Sequence, residues 1–409
     1  CPVFWAYGIV TQTRCILFAN MELMWKDGAM KFLEAQENEQ GNVHVEFYDY
    51  SNFHEVIELF MDGDTKVWLD SRSGFDIYEI CRKKIEEGKG DIHSQILVKD
   101  SPVMVKKAVK NEVEIANMKK THLHDACAVI EYLHWLEKNI KENTKLNEVE
   151  AADQLEQFRS TLPDFVGLSF DTISAYGPNG AIIHYKPDSS NCAVISTDNL
   201  YLCDSGGQYK TGTTDITRTV HFGKPSAHMI KTNTLVLEGH CQLARAKFPE
   251  KLQPNKLDVL ARTPLWKLGL DYEHGTSHGV GAYLNVHEYP PSMTRRISSE
   301  DSPPLLPGMI LSNEPGYYEE GNFGIRIENL LLVKECEELS GKKKFLEFET
   351  ISLVPFQRDL IDLDLLSDEA RQWVDSYHER CLNEVGPILK KRNEDAFNWL
   401  VNSCTPLKQ

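Results

Sequence analysis

The chain is short of positive charge. Its 44 lysines and arginines face 61 aspartates and glutamates, a net charge of −17 over 409 residues. Such a chain repels phosphate backbones, which argues against nucleic acid as a main partner. No run of eighteen apolar residues is present, so no membrane span is expected. The ten cysteines include no C-x-x-C pair, so a zinc ribbon or thioredoxin-type site is not supported. No N-x-S/T acceptor occurs either. Scattered cysteines without such acceptors favour a reducing compartment, the cytoplasm. The C-terminal CTPLKQ has no apolar tail of the lipid-anchored kind. The opening CPVFWAYGIV lacks an initiator Met, a basic n-region and a cleavage site, and it begins inside a strand pattern. A fragment or trimmed product is therefore expected. No Gly/Ser-rich linker, internal repeat or low-complexity tract interrupts the chain.

What is present is ordinary globular composition, 41% apolar and 26% charged. At about 150 residues per domain, two or three domains are expected. VFWAYGIV and TRCILFAN read as paired strands, followed by a strand, helix and strand at VHVEFYDY, HEVIELFMDG and TKVWLD. This predicts a partial α/β domain over 1–100. In the remainder, 101–409, Ala126, Val129, Ile130, Leu133, Leu136 and Ile140 predict a helix with one apolar face. Further helices are expected near 147–160, 226–247 and 255–268, and a long one from Ser367 to about Val401. Strands and Gly/Pro turns fill the rest, an α/β (α+β) class.

Three segments concentrate polar chemistry. In LYLCDSGGQYKTGTTDITRTVHFG, 200–223, a hairpin would set Asp204 roughly opposite Asp215, both inward. Facing carboxylates need a cation or a shared proton. Alone, two solvated surface aspartates would be the ordinary reading. HGTSHGVGAYLNVHE, 274–288, holds His274, His278 and His287 among glycines that forbid a regular zinc-binding helix. Alone, these could equally be surface or core histidines. In MILSNEPGYYEEGNFGIRIENLLLV, 309–333, Glu314 ends an apolar strand and Glu328 lies within another beside Arg326. A buried Glu328 must be paired or bound to metal. A pair with Arg326, two residues away, is awkward but open.

Together Asp204, Asp215, His278, Glu314 and Glu328 offer four carboxylates and one imidazole. Oxygen-rich donors with one nitrogen suit Mn²⁺, Co²⁺ or Zn²⁺, and four negative charges match two divalent cations. Two metals about 3.5 Å apart can activate water at neutral pH, which is hydrolytic chemistry.

The order Asp, Asp, His, Glu, Glu in DSGGQYKTGTTDITRT, HGTSHGVG, NEPGYY and GIRIEN resembles the pita-bread metallopeptidases. Within them the chain is most similar to the Xaa-Pro aminopeptidase (aminopeptidase P) group of soluble eukaryotic type. VKNEVEIANM at 109–118 and DFVGLSFDTISAYGPNGAIIHYKP at 164–187 carry the likeness further. The resemblance implies a pita-bread (creatinase/aminopeptidase-like) catalytic domain over 101–409 with a helical tail, and most of that group's second domain over 1–100. It implies two metal ions, manganese first, with zinc and cobalt as alternatives. Asp204 would hold one, His278 and Glu314 the other, and Asp215 and Glu328 would bridge them. A hydroxide between the metals would attack the bond before proline. Glu314 would shuttle the proton, His287 and His274 would bond the substrate and oxyanion, and His184 would line the proline side. Peptides with proline second, a homodimer and no membrane or nucleic-acid partner follow from the same likeness. A methionine aminopeptidase would not need residues 1–100. Prolidase cuts only dipeptides and needs a cation for their carboxylate. Metal-free binding modules of this fold would not retain all five donors.

Overall fold

The computed structural model describes residues 5–26, 28–40, 44–294, 303–339, 341 and 343–407, with backbone alone for 35–40. Helix and strand are mixed throughout, in two units, Cys1–Val103 and Met104–Gln409.

In the first unit the strands Tyr7–Val10 and Arg14–Ala19 pair antiparallel, and His44–Asp49 runs parallel to the second. A parallel neighbour requires a crossover, which the helices Met21–Lys26 and Ala29–Gln40 supply. Helix Phe53–Phe60 buries Phe53, Val56 and Ile57, and helix Phe75–Glu87 buries Ile77, Cys81 and Ile85 at helical spacing. Both stripes meet Ile16 and Phe18 in one apolar cluster. The strand expected at TKVWLD is Val67–Leu69, and its parallel partner is Ile96–Val98 in a separate two-stranded sheet.

The second unit opens on helix Glu112–Lys141. Asn111 accepts from the Glu114 amide and the Glu114 carboxylate accepts from the Asn111 amide, so two otherwise orphaned donors are satisfied. Asn147 and Glu150 repeat the device for helix Glu148–Ser160. The single apolar face expected for the first of these helices gives way to burial of every residue from Asp125 to Leu133. Helices Glu148–Ser160 and Glu394–Ser403 both pack on it, so it has little solvent side to spare. Within that stretch Asp125 is 3% exposed, held by Arg159 through Nε at 2.8 Å and Nη2 at 3.1 Å and by the Tyr209 hydroxyl at 2.6 Å.

Six antiparallel strands form the largest sheet, in the order Lys247–Pro249, Phe345–Thr350, Asn329–Glu335, Ile310–Asn313, Ser277–Gly279, Glu288–Met293. A second sheet sets Leu200–Ser205 between Ile173–Tyr176 and Ile216–His221. The hairpin expected over 200–223 is more elaborate than its pattern. Asp204 stands opposite Thr217, not Asp215. The intervening chain makes its own hairpin, Gly207–Tyr209 with Gly212–Thr213, which joins Phe165–Leu168 in another sheet.

The tail is not one helix. Asp368–Arg380 widens at Cys381–Val385, Gly386–Arg392 follows, and Asn393 breaks the run at φ −153° and caps Glu394–Ser403. Pro387 has no N–H to return to the preceding turn, which accounts for the widened turn before it. The tail is fastened to the sheets by buried polar groups. Arg218 donates to Val354 O, Asn329 Oδ1 and the Tyr377 hydroxyl, and His378 Nε2 accepts from the Phe356 amide at 3.1 Å. Burial, with the nearby Arg218 charge, pushes His378 down to about 3.

Two outcomes follow from these buried groups. Asp125→Ala strands Arg159 without its partner, and urea unfolding should register a loss of about 3–5 kcal/mol; a shift within experimental error would show that the pair is dispensable. His378 is neutral in the fold, whereas an unfolded imidazole titrates near 6.5. Stability is therefore complete above about pH 6.5 and declines as pH falls toward the folded value. His378→Gln should flatten part of that decline, and an identical pH profile would remove His378 from the account.

Candidate metal centre

Asp204, Thr217 and Glu328 lie in one row across neighbouring strands, since Asp204 pairs with Thr217 and Thr217 bridges to Glu328. Side chains directly opposite share a face, and Asp215, two residues before Thr217, joins them by the strand period. Glu328 lies not inside a strand, as its apolar flanks imply, but in the break between Phe323–Arg326 and Asn329–Glu335. Its Oε2 accepts from Thr217 Oγ1 at 2.7 Å. Glu314 follows the strand Ile310–Asn313, and His278 sits in the adjoining strand Ser277–Gly279. Ser312 joins them: its Oγ accepts from the His278 amide at 2.9 Å and donates to Glu314 Oε1 at 3.0 Å.

These side chains converge on a cavity of about 710 Å³ that is also lined by His184, His274, His287 and Arg326. Donor atoms of Asp215, His278 and Glu328 lie within 4.8 Å of one another. His278 Nε2 is 3.5 Å from Asp215 Oδ2 and 3.4 Å from Glu314 Oε1. His278 Nδ1 donates to Gly279 O at 2.9 Å, which fixes the tautomer and leaves Nε2 toward the carboxylates. Asp204 accepts from Arg326 Nη2 at 2.6 Å through Oδ2, while its Oδ1 is buried with no protein partner.

This donor set fits a divalent cation. Burial raises Asp215 to about 7, Glu314 above its usual range and Glu328 well above it, with the neighbouring carboxylates adding to the rise. Burial opposes charge on His278, but its hydrogen bond to Asp215 and the charges of Glu314 and Asp215 outweigh that and lift it to about 9. Same-sign groups so placed must hold protons or a cation.

The other histidines differ. His274 donates through Nδ1 to Gly275 O and meets the Tyr318 hydroxyl through Nε2, both at 2.8 Å. Both its nitrogens are engaged, one by its neighbour's carbonyl and one by Tyr318. Burial and the Arg326 charge push it to about 3. His287 crosses the His278 ring edge-on, with centroids 4.3 Å apart, and is pushed to about 4 by burial and the His278 charge. His184 is exposed and lines the same cavity. Sequence reasoning missed Tyr318, whose hydroxyl accepts from Arg326 Nη1 at 2.8 Å, and the true partner of Arg326. No sequence signal encodes the second, because Asp204 and Arg326 lie 122 residues apart.

Residues 116–335 match the model of metallopeptidase family M24, and 344–407 match the C-terminal region of that peptidase. Residues 1–114 match the creatinase/prolidase N-terminal domain. The chain belongs to metallopeptidase family M24. It is 41% identical to a probable Xaa-Pro aminopeptidase P of Laccaria bicolor and 40% identical to Xaa-Pro aminopeptidase 1 of Dictyostelium discoideum, in each case over 99% of its own length. It spans 61% and 62% of the length of these relatives. Among solved structures, the X-prolyl aminopeptidase of Caenorhabditis elegans, described as a cytosolic enzyme with a di-nuclear active site, superposes with a TM-score of 0.88 at 36% identity, covering 99% of this chain and 64% of that one. The prolidase of Pyrococcus furiosus shares the fold at a TM-score of 0.60 and 21% identity, covering 85% of this chain and 89% of that one. The α+β class with a pita-bread catalytic domain is thus borne out. No helix among the described residues is long and apolar enough to cross a membrane.

At pH 7 His278, titrating near 9, carries a proton that a bound cation must displace. Adding Mn²⁺ to chelator-treated protein in weak buffer should release protons, and affinity should rise with pH across this range. Binding without proton release would show that His278 is already neutral at pH 7.

Proposed function

We propose that the chain is an aminopeptidase that removes an N-terminal residue from peptides with proline in second position. Asp204, Asp215, His278, Glu314 and Glu328 would hold two divalent cations, manganese before zinc or cobalt, with Asp215 and Glu328 shared between them. The observation that carries this reading is the convergence of these five donors, with His184, His274 and His287, on one cavity. The names of the relatives support the choice of substrate. When bound, such a cation pair activates water and polarises a carbonyl. Four carboxylates and the Arg326 guanidinium leave three negative charges, so two divalent cations would leave one positive charge, which suits an attacking anion.

Glu314 is placed to move the proton. Its Oε1 is 3.4 Å from His278 Nε2, and burial raises its proton affinity. It would take a proton from the attacking water and return one to the departing proline nitrogen. His287, over the His278 ring, would donate to the substrate carbonyl as charge builds on its oxygen. The Arg326–Tyr318–His274 chain holds Asp204 and that side of the cleft in place. His184 would border the proline ring. Proline brings no N–H to the scissile bond, so recognition rests on ring shape. We further place the protein in the cytoplasm as a homodimer.

Metal-loaded protein should cleave Arg-Pro-Pro and leave Xaa-Pro dipeptides uncut. Glu314→Gln should keep the fold while kcat at saturating metal falls by about 10²–10⁴. Turnover comparable to the parent in that variant, or preference for dipeptides, defeats the reading.

A further inference from the structure

Glu148 is the first residue of helix Glu148–Ser160 and is 0% exposed. Burying a carboxylate is costly unless its oxygens are satisfied. Here they are, by neutral donors. Oε1 accepts from the Tyr176 amide at 2.6 Å and Asn179 Nδ2 at 3.0 Å. Oε2 accepts from the Tyr185 hydroxyl at 2.7 Å, the Ala193 amide at 2.8 Å and Asn179 Nδ2 at 3.1 Å. The Glu148 amide in turn donates to Ala193 O at 3.1 Å. The helix N-terminus also favours a negative charge at this position.

All of these partners lie between 176 and 193. That segment has one short 3-10 turn, Gly177–Ala181, and otherwise irregular backbone up to Val194. Its internal backbone bonds, Ile182 N–H to Asn179 O, Tyr185 N–H to Ile182 O and Asn191 N–H to Asp188 O, close local turns and do not join its two ends. Glu148 gathers both ends and the middle of the segment onto one carboxylate. The same segment delivers Ile183, His184, Tyr185 and Lys186 to the cavity wall. An apolar residue could fill the same space, but it could not bind a wall at four points.

We propose that Glu148 is a positioning residue for the substrate wall of the cavity, fixing the 176–193 segment so that His184 and Tyr185 border the bound peptide. The proposal rests on the reading of this cavity as the peptide cleft. Glu148 touches none of the five candidate metal donors, so its effect falls on substrate binding and not on metal content. Glu148→Gln turns one oxygen into an amide that meets donors with a donor. Tyr185→Phe removes a single hydrogen bond and keeps the ring.

The test uses the full chain loaded with Mn²⁺. It measures kcat and KM on Arg-Pro-Pro, metal content, and hydrogen–deuterium exchange segment by segment. Glu148→Gln should raise KM at least about fivefold and Tyr185→Phe about twofold, with kcat within about twofold of the parent. Metal content should stay constant, and faster exchange should be confined to 176–193. Unchanged KM in both variants overturns the proposal. So does parallel loss of kcat, metal and protection throughout Met104–Gln409, the signature of general destabilisation. Should Glu148→Gln not fold, Tyr185→Phe alone decides. If the parent does not cut Arg-Pro-Pro, the proposed function fails, and the exchange pattern then decides whether Glu148 fixes this wall.

Discussion

Carboxylates that share a buried site repel one another, and the second unit is arranged to hold several of them in place against that repulsion. Asp215 and Glu328 are 3% and 1% exposed, and burial alone would favour their neutral forms. Left free to rotate, such groups would turn toward water. Here three of the four are pinned by a hydrogen-bonding neighbour: Glu328 by Thr217, Glu314 by Ser312 and Asp204 by Arg326. The pinning leaves unsatisfied acceptor capacity facing inward, most plainly at Asp204 Oδ1. A site that is costly to the protein alone becomes favourable once a cation supplies the missing charge.

The scaffold follows from that requirement. Antiparallel strands set Asp204 opposite Thr217, and an isolated bridge from Thr217 brings Glu328 into the same row, at a precision that loops seldom achieve. Arg218 then ties the same strands to the tail: its Nη1 donates to Thr217 O and Glu328 O, and its Nη2 reaches Tyr377. The tail is therefore more than a cover. A guanidinium next to the Glu328 backbone links packing of Asp368–Arg380 to the geometry of the donor cluster, so damage far along the chain is felt at the site.

Much of this was legible in the sequence because period and composition are local. Alternation marked Leu200–Ser205 and Ile216–His221, and the apolar run around Glu328 announced its burial. What escaped depended on partners far along the chain or on backbone detail. Arg326 reaches Asp204 across 122 residues, and no spacing rule encodes that pair. The extra hairpin at Gly207–Thr213 was concealed because its glycines also fit a simple turn. The tail pattern read as continuous because side-chain period survives a widened turn, while Pro387 and the Asn393 cap interrupt only the backbone. Glu148 drew no notice because a glutamate opening a helix is ordinary, and only the fold reveals that it is buried against 176–193.

Chemistry and selectivity occupy different parts of the cavity. In the proposed aminopeptidase this cluster would hold the cations that activate water for any carbonyl within reach, and nothing in it would sense proline. Discrimination must come from what borders the leaving residue. In the proposed reading that side is lined by Phe170, Ile173 and the segment from Ile183 to Lys186, which is tied to Glu148 and to strand Ile173–Tyr176 rather than to the donors. The two parts meet where Ile173 pairs directly with Asp204. A displaced wall would therefore change which peptides fit while the cluster stayed intact, whereas a lost donor would abolish cleavage of every peptide alike.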